Sequence, residues 1–318
     1  MYFRKPVTVL ITLLALTAFA ANSILCRRAL STGDIGPVEF TVVRLVSALL
    51  MLLPVFWIYR PRTEVGALRG SGHTNPMSGR TAKVLPAIAL FCYAIFFSLA
   101  YVRLTTGTGA LLLFGSVQLT MLGINLIRGN RVGILAWAGL VTSFAGLIYL
   151  LSPGLAAPSG TGTVMMILAG ASWGFYSILG QREPAAILAT ARNFLFCLPG
   201  ALVLGAIAVA PTKGIEQFQI SSHGIILATI SGAIASAIGY VLWYLAIKRI
   251  TTTTASIIQL LVPLLAAFGG VVFLNESLSM RLVVAGALIG GGVALSLVKL
   301  KLPFRVVQAE GSCGGGQP

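Results

Sequence analysis

The sequence predicts an all-α integral membrane protein of ten transmembrane helices, arranged as two five-helix repeats of inverted topology. Three observations carry this. Of the 318 residues, 57% are hydrophobic and only 9% are charged, against roughly 25% charged in soluble domains. The apolar residues gather into ten runs, each close to the ~20 residues that a bilayer-spanning helix needs. The second five runs echo the first. With 22 Lys+Arg and 7 Asp+Glu, the chain lacks the charge to cover a soluble surface. A soluble enzyme, a secreted disulfide scaffold and a disordered chain are therefore set aside.

The ten runs lie at 7–26, 36–59, 84–102, 107–126, 132–151, 162–180, 188–210, 224–246, 252–274 and 281–298. The first resembles a cleavable signal peptide, with Arg4 and Lys5 ahead of an apolar stretch and Ala18-Phe19-Ala20 behind it. Nine further runs and an internal counterpart favour a retained helix. The connector from Arg60 to Lys83, rich in Gly, Ser, Thr and Arg, reads as a mobile loop. Trp57, Tyr59, Trp137 and Tyr149 stand near span ends, where amphipathic rings anchor at the membrane interface. The tail 303–318, Gly-rich at its end, reads as disordered.

Orientation follows from the basic residues. With the N-terminus inside, fifteen lie in the inner segments, at 4–5, 60–83, 128–131, 182, 248–249 and 299–305. Five (Arg27, Arg28, Arg103, Lys213 and Arg281) lie outside. Arg44 and Arg192 fall within spans. Positive charge concentrates on the cytoplasmic side, so both termini are placed in the cytoplasm of a bacterial cell, with the chain multi-pass in its inner membrane. The net charge of +15 then reports topology, and no nucleic-acid partner is expected. Cys26, Cys92, Cys197 and Cys313 show neither metal-ligand spacing nor a disulfide framework.

The repeat is weak but ordered. Ser23-Ile24-Leu25 recurs as Ser177-Ile178-Leu179, and Arg28 matches Arg182. Arg44 matches Arg192, Arg103-Leu104-Thr105-Thr106 matches Arg249-Ile250-Thr251-Thr252, and Gly146 falls on Gly292. Residues 1–153 and 162–302 thus form two units of five spans. Five is odd, so the second enters the membrane inverted, as in many secondary transporters, whose solute sites lie between the halves near the midplane.

The run Gly107-Thr108-Gly109-Ala110-Leu111-Leu112-Leu113-Phe114-Gly115-Ser116-Val117-Gln118-Leu119-Thr120-Met121 resembles the fourth-span segment of EamA-type members of the drug/metabolite transporter superfamily. Gln259-Leu260-Leu261-Val262-Pro263 and Asn275-Glu276-Ser277-Leu278 resemble the paired segment. The likeness extends over about residues 6–300. It implies a ten-helix exporter or permease of small metabolites, amino acids and drugs among them. The chain departs from the pattern at Gly129-Asn130, where the family carries Gly-Glu. Asn130 aligns with Glu276, a loop position, so the change bears on loop packing.

Polar residues inside spans are costly and mark candidate sites. Arg44 leads: it either meets solute or bonds the carbonyls of a neighbouring helix. Glu39, five residues earlier, pairs loosely with it or faces Arg28, and is the candidate for proton coupling. Tyr240, Trp243 and Tyr244 share a face with Ser236 at helical spacing. Trp173 and Tyr176 form a like face in span six, and Asn22 sits at the related place in span one. Gln118 and Gln259 are buried amides that bond between helices or contact solute. Pro263 breaks a backbone bond in mid-span and is the hinge candidate. Gly139, Ser143 and Gly146, with Gly286, Gly290, Gly291 and Gly292, suit close helix packing, and Gly286-x-x-x-Gly290 allows a homodimer.

The reading is a secondary transporter that moves small solutes, amino acids or relatives, outward by alternating access among membrane lipids. An Arg-bearing aromatic cavity suits a zwitterion or organic anion. The alternative is a flippase for lipids or lipid-linked sugars, whose phosphates Arg44 would meet. No catalytic residue, metal site or cofactor is expected: the spans lack clustered His, Asp, Glu or nucleophile motifs, and no phosphate-cradling loop is present.

Overall fold

The computed structural model describes residues 5–69, 80–127, 134–151, 158–181, 183, 185–209, 220–250, 255, 258–259 and 261–297. Asn130, Arg182 and the tail 303–318 lie outside them. The described residues are helical, with short turns between: α1 Lys5–Ser31, α2 Pro37–Arg69, α3 Arg80–Tyr101, α4 Thr106–Ile127, α5 Ile134–Leu151, α6 Gly160–Gly180 and α7 Ala186–Val209. They continue as α8 Ser222–Ile247, α9 Leu261–Leu274 and α10 Met280–Leu297. Seven of these helices are long and apolar enough to cross a membrane, and shorter apolar stretches lie within α5, α9 and α10. Ala255, Ile258 and Gln259 are helical ahead of α9.

Two expectations change. The Arg60–Lys83 connector is in large part helix, because α2 runs on to Arg69 and α3 begins at Arg80. Glu64, Ala67, Leu68 and Arg69 are good helix formers and outweigh the turn-type residues beside them. α8 is not a plain α-helix, since Ser231–Ile238 winds as a π-helix.

Helix ends follow local chemistry. Gly33 (φ 70°) closes α1 in the left-handed region, and Pro37 starts α2, where a missing N–H costs nothing. Ser221 caps α8 by accepting from Gly224 N at 3.0 Å. The Ser221 hydroxyl also donates to Asp34 Oδ1 at 3.1 Å, tying α8 to the α1–α2 turn. The Thr32 hydroxyl, with help from Ser221, holds the Asp34 carboxyl below its usual range.

The principal helix contacts map onto themselves when each helix is exchanged for the one five places along. The pair α1–α8 corresponds to α6–α3, α1–α9 to α6–α4 and α2–α8 to α7–α3, while α2–α7, α4–α9 and α5–α10 are their own counterparts. At α5–α10 the approach is close enough to need glycine. A Cβ on Gly146 would stand 2.8 Å from Leu288 Cβ, and one on Gly292 2.5 Å from the Gly139 carbonyl oxygen. Ser143 donates to the Ile289 carbonyl across the same seam. Gly286, Gly290 and Gly291 face open space instead. Exposed Leu, Ile, Val and Phe cover the outer surface, as a lipid-facing wall requires. Trp57, Trp137 and Tyr149 are exposed among them; the Tyr59 side chain lies outside the described set.

One ion pair stitches the two halves together. Arg27 Nε donates to Glu276 Oε1 at 3.3 Å, and Arg27 Nη1 donates to the Tyr101 and Val102 carbonyls. Glu276 also accepts the Thr106 backbone N–H at 2.8 Å, anchoring the start of α4. It follows Asn275, whose φ of 55° suits an asparagine at a helix C-terminus. Glu276→Gln keeps the shape but removes the charge-assisted bonds. A loss of about 2 kcal/mol is expected, read as a lower melting temperature in detergent; an unchanged value would show that the pair contributes nothing.

Candidate solute-binding site

The site grows from one buried cation. Arg44 on α2 is 1% exposed. Its Nε donates to Ser236 Oγ at 2.9 Å, and its Nη2 donates to the Tyr240 hydroxyl at 2.6 Å and the Tyr93 hydroxyl at 3.3 Å. Its guanidinium carbon stands 5.3 Å from the Tyr93 ring centre and 5.0 Å from that of Phe97, within cation–π range. Nη1 has no hydrogen-bond partner. Among the described residues no carboxylate pairs with Arg44: its partners are hydroxyls and rings. Glu39 lies apart in the first turn of α2, where its charge suits the helix N-terminus, and pairs with neither Arg44 nor Arg28. A charged group is rarely buried without a counter-charge.

The π segment of α8 shapes this surrounding. In an α-helix, residues five apart sit about 140° apart around the axis. The i→i+5 bonding of a π-helix stacks them. Ser231 and Ser236 are five apart, and both reach Asn22 on α1. Ser231 donates to Asn22 Oδ1 at 2.6 Å, and Asn22 Nδ2 donates to Ser236 Oγ at 3.2 Å. Asn22 thereby fixes the serine that holds Arg44.

An aromatic wall completes the cluster. Trp173 packs with ring centres 4.8 Å from Tyr240, 4.9 Å from Tyr93, and 5.2 Å from both Tyr176 and Phe19. Tyr176 stacks on Tyr244 at 5.0 Å, and Phe194 on Tyr240 at 5.9 Å. Trp173 Nε1 donates to Gln259 Oε1 and Trp243 Nε1 to Ser177 Oγ, each at 3.3 Å. The Tyr244 hydroxyl donates to the Tyr176 carbonyl. Every one of these side chains is buried, so the site is closed in this conformation.

The structure therefore brings together Asn22, Arg44, Trp173, Tyr176, Tyr240, Trp243, Tyr244 and Gln259. Gln118 stands elsewhere, in a small recess between α4, α5 and α10 with Gly115, Ser143, Leu147 and Ile289. Pro263 is buried in the first turn of α9, and the local backbone there is helical. Arg192 does not repeat the role of Arg44, because it pairs with Glu183 at 2.7 Å. Sequence reasoning missed Tyr93, Phe97, Phe194 and Asn193. A polar Tyr93 or Asn193 within an apolar run was the available signal. Among the described residues no group of three His, Cys, Asp or Glu could hold a metal.

A model of the EamA-like transporter family matches residues 160–298. The chain is 41% identical over 292 residues to an uncharacterized protein of Pseudomonas aeruginosa, covering 91% of this chain and 94% of that one. An uncharacterized transporter of Archaeoglobus fulgidus is 27% identical, covering 90% and 96%. The threonine/homoserine exporter RhtA of Escherichia coli is 28% identical over 190 residues, covering 57% of this chain and 60% of the exporter. A crystal structure with 19% identity superposes at a TM-score of 0.60, covering 92% and 98%, a likeness of fold.

Proposed function

The chain belongs to the EamA-like transporter family of the drug/metabolite transporter superfamily and is a multi-pass membrane transporter, and on that premise we propose that its solute is a small carboxylate-bearing molecule, an amino acid or a relative, moved outward by alternating access. The observation that carries this is Arg44: a buried guanidinium with a free Nη1 and only neutral partners. A solute carboxylate supplies the missing charge, and the planar guanidinium binds such a group through paired N–H donors. The aromatic wall suits an apolar side chain or an ammonium group. The similarity to a threonine/homoserine exporter supports amino acids as substrates and export as the direction.

Because the site is sealed, solute enters only when helices part. The packing pattern that repeats with a step of five supports rocking of two inverted five-helix units. The basic-residue bias supports a bacterial inner-membrane location with both termini cytoplasmic. Glu39 is the residue proposed to carry a coupling proton. The test is flux of radiolabelled neutral L-amino acids into proteoliposomes, beside scrambling of a fluorescent lipid in the same vesicles. Solute flux above that of protein-free vesicles is expected, with a pH dependence that Glu39→Gln flattens. Lipid scrambling without solute flux would overturn the reading in favour of a flippase. A pH profile unchanged in Glu39→Gln removes that residue from coupling.

A further inference from the structure

A second polar feature lies beyond the Arg44 cluster. Asn193 on α7 is fully buried, yet both its Nδ2 and its Oδ1 lack hydrogen-bond partners. Beside it, within loose hydrogen-bonding range but short of bond geometry, stands the buried Tyr176 hydroxyl of α6. An amide buried without bonds costs the fold the desolvation of each group left unpaired. Such groups call for an explanation. The neighbouring Arg192 bonds Glu183 through its Nη2, and its own Nε is also buried without a partner.

Position makes the feature informative. Tyr240 links the two places. Its hydroxyl accepts from Arg44, while its ring stacks on Phe194, the residue after Asn193, and lies 6.3 Å from the Tyr176 ring. Arg44 and Asn193 are thus two poles joined by one aromatic residue, with Trp173 packed between Tyr93 and Tyr176.

We infer that Asn193 and the Tyr176 hydroxyl form a second pole of the solute site, which reads a neutral hydrogen-bonding group on the molecule whose carboxylate Arg44 holds. This rests on the carboxylate reading of Arg44. The chemistry of the pole names the group. An amide offers donors at Nδ2 and an acceptor at Oδ1. Only a group that both donates and accepts satisfies the two together, and a hydroxyl or an amide does so. A carboxylate would leave Oδ1 unpaired, and an ammonium would leave Nδ2 unpaired. The solute class is then a carboxylate with a hydroxyl or amide at its far end. Sites built to bond such a group reject analogues that lack it far more strongly than apolar pockets reject an extra methylene.

The test uses three solute pairs that differ by one hydroxyl at growing reach from the carboxylate: L-serine and L-alanine, L-homoserine and L-2-aminobutyrate, L-tyrosine and L-phenylalanine. Flux is measured in proteoliposomes of the full chain. At least one pair is expected to favour the hydroxylated member by tenfold or more, a comparison that needs no variant. Asn193→Leu should bring that ratio near one by lowering flux of the hydroxylated member more than flux of the deoxy member. It should also raise the solute-free melting temperature, because it removes two unsatisfied groups. Equal flux of both members of every pair in the wild type overturns the second pole and leaves Arg44 standing. A ratio that survives Asn193→Leu also overturns it. No flux of any of the six overturns the carboxylate reading and this inference with it.

Discussion

Arg44→Gln should cut carboxylate flux by about a hundredfold without destabilising the protein. The magnitude follows from hydrogen bonds to a charged group, worth roughly 1.5–3 kcal/mol each, or ten- to hundredfold per bond. The sign of the stability effect is what separates function from packing. A residue kept for packing lowers the melting temperature when removed. Arg44 is a charge buried at 1% exposure with hydroxyls and rings for partners, and such a charge carries a desolvation penalty that neutral groups offset poorly. Gln can still bond Ser236 or Tyr93, so Arg44→Gln should melt at the wild-type temperature or above it. Arg44→Lys should recover part of the flux, since an ammonium supplies charge but not the planar pair of donors. A variant that transports normally, or one that loses flux only by unfolding, would contradict the assignment.

Gly232→Ala should be strongly damaging among the described glycines. Gly232 sits on the π segment where α8 meets α2. A Cβ there would stand 2.9 Å from the Arg44 carbonyl carbon, and closer still to its oxygen and to Ser47 Oγ. A backbone carbonyl within a helix cannot turn aside, so α8 and α2 must separate. Overpacking of this kind costs about 1–3 kcal/mol, occasionally more, and here the strain falls on the bond between Ser236 and Arg44. Both stability and flux should drop. Gly286→Ala is the control. Its Cβ would meet nothing within 4 Å, and alanine in a helix gains roughly 0.5–1 kcal/mol over glycine. Melting curves of the two variants in one detergent check the contrast; similar behaviour would show that the α2–α8 approach is not as close as described.

Much of the fold was legible because lipid imposes simple rules: apolar runs of spanning length and polar residues kept off the lipid. Arg44, Tyr240, Trp173 and Tyr176 stood out in the sequence as polar or amphipathic groups in apolar runs, and they do meet. Their partners were harder to read. Asn22 joins the cluster through Ser231 and Ser236, whose alignment depends on the π winding of α8. No residue pattern announces that winding. Arg192 drew attention as the match to Arg44, yet Glu183 takes its Nη2, while Asn193 beside it is buried with neither amide atom bonded. Gln118 was as polar as Gln259, but which side of α4 it faces depends on how α5 and α10 pack there. That tertiary choice is invisible to spacing. The helical extension of α2 past Arg60 was hidden by turn-type residues, although helix formers follow them.

The central claim is that Arg44 receives a carboxylate. It is tested most directly by competing labelled amino acid flux with the same amino acid and with its methyl ester. In wild-type proteoliposomes the free acid should compete and the uncharged ester should be at least about tenfold weaker, with the difference gone in Arg44→Gln. An ester that competes as well as the acid would contradict it.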